Sequence, residues 1–197
     1  MKKVLTLCLV AVLAIGAIVG GTMAYFTDDD QAVNTFTFGN VDIEIEESDW
    51  DPPTPKNPGV AYDKTPVVKN VGDTNAWIKV DVVLSDADVL TAAAAKYDIK
   101  DLTTIFGIAQ DFDQKWELAS APVYDETAKT LTYSYYYLEM VEAEDETDEL
   151  FSTVTIPAQF TYEDVQGLKS FNITIKAYAV QEADAFTTVQ GAFASIA

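Results

Sequence analysis

The chain has no histidine, no arginine and a single cysteine in 197 residues. Without histidine there is no Ser-His-Asp triad, no H-E-x-x-H zinc site and no imidazole acid or base. The one cysteine, Cys8, sits in an apolar N-terminal run, and Leu5-Thr6-Leu7 ahead of it does not supply a lipoprotein pattern. Beyond that run there is no disulfide framework, no thiol nucleophile and no zinc–thiolate site. All basic residues are lysine, 12 against 32 acidic residues, for a net charge of −20. Such a chain lacks the basic footprint of a nucleic-acid binder and is repelled by anionic membrane surfaces. Carboxylates, lysine, hydroxyls and phenols remain for catalysis. A carboxylate pair can hydrolyse a glycoside, but with 32 acidic residues a pair at a suitable separation arises by chance. The negative charge favours solubility and makes any assembly sensitive to salt, pH and divalent cations.

The first 24 residues read as a secretory leader. Lys2 and Lys3 form a positive n-region, and Val4 to Val19 is almost wholly apolar. Gly20-Gly21 breaks the run, and Thr22-Met23-Ala24 places small residues at a cleavage site between Ala24 and Tyr25. An uncleaved membrane anchor is the competing reading, since a span needs roughly 20 apolar residues. Cleavage leaves 173 of the 197 residues, enough for one domain with a sizeable core, and a charge near −22 once Lys2 and Lys3 are gone.

The remainder alternates at a period of two. Phe36 and Phe38 share one face; Val41, Ile43 and Ile45 share another, with Gly39-Asn40 shifting the phase. Trp50 to Gly59 is a proline-rich connector. Thr65–Val71 and Ala76–Leu84 read as strands around the turn-rich Asn70 to Asn75, with Ile78, Val80, Val82 and Leu84 as the core face. Ser85 is the expected N-cap of a helix over Val89–Tyr97. Trp116–Leu118, Val123–Tyr124, Thr130–Met140 and Ser152–Pro157 follow as strands, with a turn at Asp125 to Lys129 and an acidic loop from Val141 to Glu149. Leu168–Gln181 is the clearest strand, with Phe171, Ile173, Ile175, Ala177 and Ala179 on one face. Ala185 to Ile196 forms a short helix or an irregular tail. The pattern predicts an all-β fold, an antiparallel two-sheet sandwich of jelly-roll type with a short inserted helix. Its divisions are residues 1–24 as signal peptide, 25–38 as an extended segment and 39–197 as the sandwich domain.

At this point the chain resembles a known family. A leader ending Gly-Gly-Thr-Met-Ala before Tyr-Phe-Thr-Asp is the pattern of proteins processed by a SipW-type signal peptidase. The downstream pieces resemble the TasA/camelysin (CalY) family of biofilm-matrix fibre proteins. They are Asn34-Thr35-Phe36 with Gly39 to Ile43, Asn57-Pro58-Gly59, Val67 to Asp73 running on to Ala76 to Val80, Tyr135 to Tyr137, Thr147 to Phe151, and Ile175 to Gln181. The resemblance implies a jelly-roll domain, a secreted or cell-surface location and assembly into filaments, alone or with other matrix or minor fibre proteins. It implies that an N-terminal segment leaves its own domain and completes the sheet of the next subunit by strand addition. The donor would lie within Tyr25–Phe38, with Tyr25, Phe26, Phe36 and Phe38 as anchors worth about 1.5–3 kcal/mol each by area. In the alternative, Thr35–Phe38 begins the domain's own first strand. Membrane contact is expected only through the signal peptide. Camelysin relatives have been labelled metalloproteases, a label that the missing histidine puts in doubt here.

No cofactor is expected. Calcium is the one ion that the acidic spots would suit, at Asp28-Asp29-Asp30, Asp49 with Asp51, Asp111 with Asp113, and Glu142 to Glu149, yet none matches the twelve-residue calcium loop. Tyr133 and Tyr135 to Tyr137 offer either a sugar-stacking surface or cross-strand core packing. Asn172-Ile173-Thr174 is a glycosylation sequon. The leading expectation is therefore a non-enzymatic fibre subunit. The alternatives are a non-polymerising surface adhesin or fibre-binding accessory protein, and a camelysin-like protease.

Overall fold

The structure, a computed structural model, describes residues 41–48, 57–106, 115–166, 168 and 171–196. In chain order the strands are β1 (Ile43–Ser48), β2 (Ala61–Asp63), β3 (Thr65–Asn70), β4 (Ala76–Leu84), β5 (Trp116–Leu118), β6 (Val123–Asp125), β7 (Thr130–Tyr137), β8 (Thr153–Thr155) and β9 (Ile173–Gln181). Three short helices join them: α1 (Ala87–Lys96), α2 (Tyr162–Gln166) and α3 (Val189–Ala194), with a 3₁₀ turn at Leu102–Phe106.

The strictest alternation in the chain becomes the centre of the fold. Strand β4 lies between β7 and β9, and β5 and β6 share the far side of β7. Strands β1 and β3 form one two-stranded ribbon, and β2 and β8 another. Every pairing is antiparallel, so the fold is all-β. Ile78, Val80, Val82 and Leu84 are fully buried, as the period of two predicts. They pack with Leu131, Tyr133, Tyr135 and Tyr137 of β7 and with Ile175, Ala177 and Ala179 of β9. Ile43, Val68 and Val154 of the ribbons and Leu90, Ala93 and Ala94 of α1 belong to the same core. Trp77, on the opposite face of β4, joins a second, smaller cluster with Val180, Val189, Ala192 and Phe193. Helix α3 thus covers one end of the back of the sheet.

Two expected details differ. The cap of α1 is Asp86, in the left-handed region at φ 50° and without a side-chain cap bond, and the helix starts at Ala87. Ser85 Oγ instead accepts the Asn172 N–H at 2.8 Å, tying the end of β4 to the entry of β9. Strand β9 begins at Ile173 rather than Leu168, which places Asn172 of the sequon in front of the strand. Helix α2 and the 3₁₀ turn lie in segments with no helical periodicity, and local caps open them: Thr161 N–H donates to Asp164 Oδ2 at 2.9 Å and Asp164 N–H to Thr161 Oγ1 at 3.4 Å, and Asp101 Oδ1 accepts the Thr103 N–H at 2.9 Å. The Asn57-Pro58-Gly59 turn has a clear reason for its glycine. Gly59 adopts φ 77°, its N–H donates to Ile156 O at 2.8 Å, and a Cβ there would stand 2.9 Å from that of Ala158.

Candidate functional site: the sheet edges

A protein that assembles by strand addition must present an unpaired edge, because the row of N–H and C=O groups along it provides the binding energy. Each edge in this fold is managed differently. The far side of β7 is filled at one end by β5, opposite Tyr135–Tyr137, and at the other by β6, opposite Thr130–Thr132.

The outer side of β3 is covered by the acidic segment 141–150. Asn70 N–H donates to Asp145 O at 2.8 Å, Glu144 N–H to Asn70 O at 2.9 Å, Thr147 N–H to Val68 O at 2.9 Å and Leu150 N–H to Pro66 O at 2.9 Å. Thr147, nearly fully buried, also accepts the Val68 N–H through Oγ1 at 3.0 Å. Asn70 organises the arrangement from inside. Its Nδ2 donates to Thr74 O, Val141 O and Glu142 O, and its Oδ1 accepts the Gly72 N–H. In sequence the acidic segment reads as a solvated loop. Its role as an edge cover follows from the apolar Val141, Leu150 and Phe151 that bracket it and are buried.

One polar cluster fastens this cover to the five-stranded sheet. Lys115 Nζ lies 2.9 Å from Asp148 Oδ2 and 3.1 Å from Glu139 Oε2. Tyr137 OH donates to Asp148 Oδ2 at 3.2 Å, and Trp116 Nε1 donates to Asp148 O at 3.3 Å. Hydrogen bonding by Asp148 and then Glu139 raises Lys115 above its ordinary value, so it stays charged. A polar cavity of about 350 Å³ lies between these groups and Asp145, Glu146 and Thr147.

Strand β9 is different. Among the described residues it pairs on one side only, with β4, over its full length from Ile173 to Gln181. Strand β1 pairs only with β3 among the described residues and packs close to β9. Ile45 and Ile173 rest half-buried against the common core beside this junction. Among the described residues, then, the side of β9 away from β4 has no ladder partner, and β1, the first described strand, lies near it.

Ala24, Tyr25, Phe26, Phe36 and Phe38, the expected cleavage and donor residues, lie outside the described residues, as do Asp28 to Asp30, Asp49, Asp51, Asp111 and Asp113. Of the acidic spots, only Glu142 to Glu149 is described. Of the tyrosines, Tyr133, Tyr135 and Tyr137 are buried, so they pack the core rather than present a stacking surface. Burial pushes the Tyr133 phenol up to about 12. Tyr136 faces the other way, with its ring 5.8 Å from that of Phe193. Among the described residues no helix is long and apolar enough to cross a membrane.

Comparison with known proteins gives a family. A family model described as Camelysin metallo-endopeptidase matches residues 1–135. No curated protein matches the chain, and neither does any solved structure. The family description implies a metal, and the donors present do not fit a catalytic zinc, whose three protein ligands, carboxylates among them, ordinarily include histidine and leave a fourth position open. The chain has no histidine and its only cysteine is Cys8. Among the described residues no three acidic side chains stand together as ligands. The match extends from residue 1 through β1, β3 and β4 into β7, more than half of the sequence, and the chain belongs to the camelysin family, the TasA/camelysin group that its motifs resemble.

Proposed function

We propose that this protein is a secreted structural subunit of extracellular, biofilm-matrix fibres, and that it polymerises by donating its N-terminal segment to the sheet of the next copy. Family membership supports the secreted, matrix-associated part of this reading. The observation that carries the polymerisation is the edge of β9, nine residues long and paired on one side among the described residues. The segment 25–38 has the length to lie along it, since nine extended residues span about 30 Å. Tyr25, Phe26, Phe36 and Phe38 supply the apolar side chains that would fix the register. Each copy offers one donor and one acceptor at different places, so the contact is head-to-tail and grows into a filament. A jelly-roll-type sandwich completed in trans is part of this reading.

A catalytic role is the less favoured reading despite the family's description, because the sequence has no histidine and its single cysteine, Cys8, lies in the apolar N-terminal run. The test is a deletion of residues 25–33 behind an intact leader. The expected product is a folded, β-rich monomer that forms no fibres under electron microscopy, with fibres restored by none of the salt or pH conditions that suit the wild type. Fibres of unchanged form from the deleted protein would end the donor-segment reading.

A further inference from the structure

We propose that Lys176 is the residue by which β9 selects its donor, and that the matching charge is the Asp28-Asp29-Asp30 run of the next copy. This inference rests on the donor-segment reading above and adds to it the side chain that recognises the segment. Lys176 is the only charged residue in the nine of β9. Its register opposite Asp81, which in turn lies opposite Ser134, places all three on the back of the sheet. Lys176 is half-buried. Among the described residues its ammonium has no ion-pair or hydrogen-bond partner, in a chain with 32 acidic residues. Asp81, directly across the ladder, is already engaged: its Oδ1 accepts the Ser134 hydroxyl at 2.6 Å and lies 3.3 Å from Lys79 Nζ. The other neighbours on this face, Thr174 and Tyr178 of β9 and Val83 of β4, bring no carboxylate. Two ammonium groups therefore share one carboxylate beside the side of β9 that has no ladder partner among the described residues.

A lysine on a strand edge ordinarily keeps other edges away. Lys176 does so to a second β9, which brings an ammonium of its own, and to any basic strand. Segment 25–38 is the opposite case: its only charged residues are Asp28, Asp29 and Asp30. Over most of a molecule of net charge −20 that run meets repulsion. Along β9 it meets a surplus positive charge. The attraction needs no single register, because charges act on one another within a Debye length, about 8 Å at physiological ionic strength. Main-chain bonds and apolar anchors hold whichever strand is seated, so they discriminate weakly. Lys176 supplies the difference between strands, attracting the acidic donor and repelling the alternatives.

The experiment is fibre growth by the purified protein beginning at Tyr25, followed by light scattering and checked by electron microscopy, at about 150 mM and about 500 mM NaCl. Lys176→Glu should slow growth by about tenfold or more at the lower salt, with a smaller gap at the higher one. Lys100→Glu makes the same change of net charge on the loop after α1 and should stay within about twofold of the wild type. Asp28→Lys, Asp29→Lys and Asp30→Lys together should slow growth when residue 176 is lysine, although they lower the net negative charge. The same triple substitution should restore growth in the Lys176→Glu background. Lys176→Gln, a milder change, should remove the dependence of growth on the charge at positions 28–30. Circular dichroism checks that each variant keeps the fold. The inference is overturned if Lys176→Glu grows as fast as the wild type while deletion of residues 25–33 abolishes fibres, or if the triple substitution speeds growth equally in both backgrounds. Fibres from the deleted protein would instead overturn the donor-segment reading, and this inference with it.

Discussion

Asn70 shows how much one buried amide can organise. It is fully buried, and its side chain makes four hydrogen bonds that join the 70–76 turn to the segment covering β3. Replacing it by alanine removes all four of these hydrogen bonds, each worth about 0.5–1.5 kcal/mol net, although Val141 O, Glu142 O and the Gly72 N–H each keep a backbone partner. We expect Asn70→Ala to lower stability by about 2–4 kcal/mol, read as a lower urea midpoint at constant slope. In the sequence Asn70 is recognisable as a turn residue. Its burial is not, because two of its partners lie some seventy positions away. Thr147 is similar: in sequence it is one polar residue within an acidic run, and contact with Val68 gives it a structural role.

Among elements, β4 was the most legible, because strict alternation over nine residues has one consistent reading, with one face to the core. Helix α1 was legible in kind but not at its start, since Ser85 is recruited by β9 and Asp86 takes the cap position. Helix α3 was legible only as one of two readings of Ala185–Ile196, a short helix or an irregular tail. It is six residues long, too short to persist alone, and it is held by Val189, Ala192 and Phe193 against Trp77 and Tyr136. Its N-terminus is capped by Thr188, whose Oγ1 accepts the Gly191 N–H at 3.2 Å. Removing residues 187–197 should therefore leave the sheet folded and uncover Trp77, which is 7 % exposed in the intact protein. The expected readout is a red shift in tryptophan emission with little change in far-ultraviolet circular dichroism. An unshifted spectrum would show that α3 does not shield Trp77.

At the scale of the molecule, 32 acidic residues and a charge of −20 act against one another throughout. Lowering pH from 7 toward the carboxylate range relieves that repulsion and should raise stability. One group works in the opposite direction. Lys96 first, then the Thr161 N–H, the Tyr97 hydroxyl and the Thr161 hydroxyl, hold Asp164 well below the usual carboxylate range, and its side chain is 1 % exposed. A depressed carboxylate contributes stability above its unfolded value, and this is lost as pH falls through the folded one. The melting temperature should therefore rise on mild acidification, pass through a maximum near pH 4–5 (about the unfolded carboxylate value) and fall below it. Asp164→Asn should lower the whole curve and flatten its acid limb, as measured by thermal melts between pH 7 and 2. A wild-type curve falling steadily from pH 7 would mean that repulsion does not limit this fold.

The sequence by itself determined the all-β class, the core face of β4, the alternation of β7 and β9 and the family, because each rests on local periodicity or on ordered short motifs. It also set the limits on chemistry, since a residue type that is absent cannot be supplied by folding. Only the tertiary structure decided which edges are covered and which stay open. Hydrogen-bond partners along an edge come from distant parts of the chain: an acidic run far downstream protects β3, whereas the equally regular β9 pairs on one side alone among the described residues. Strand patterning reports which face is buried; it carries no record of what lies alongside.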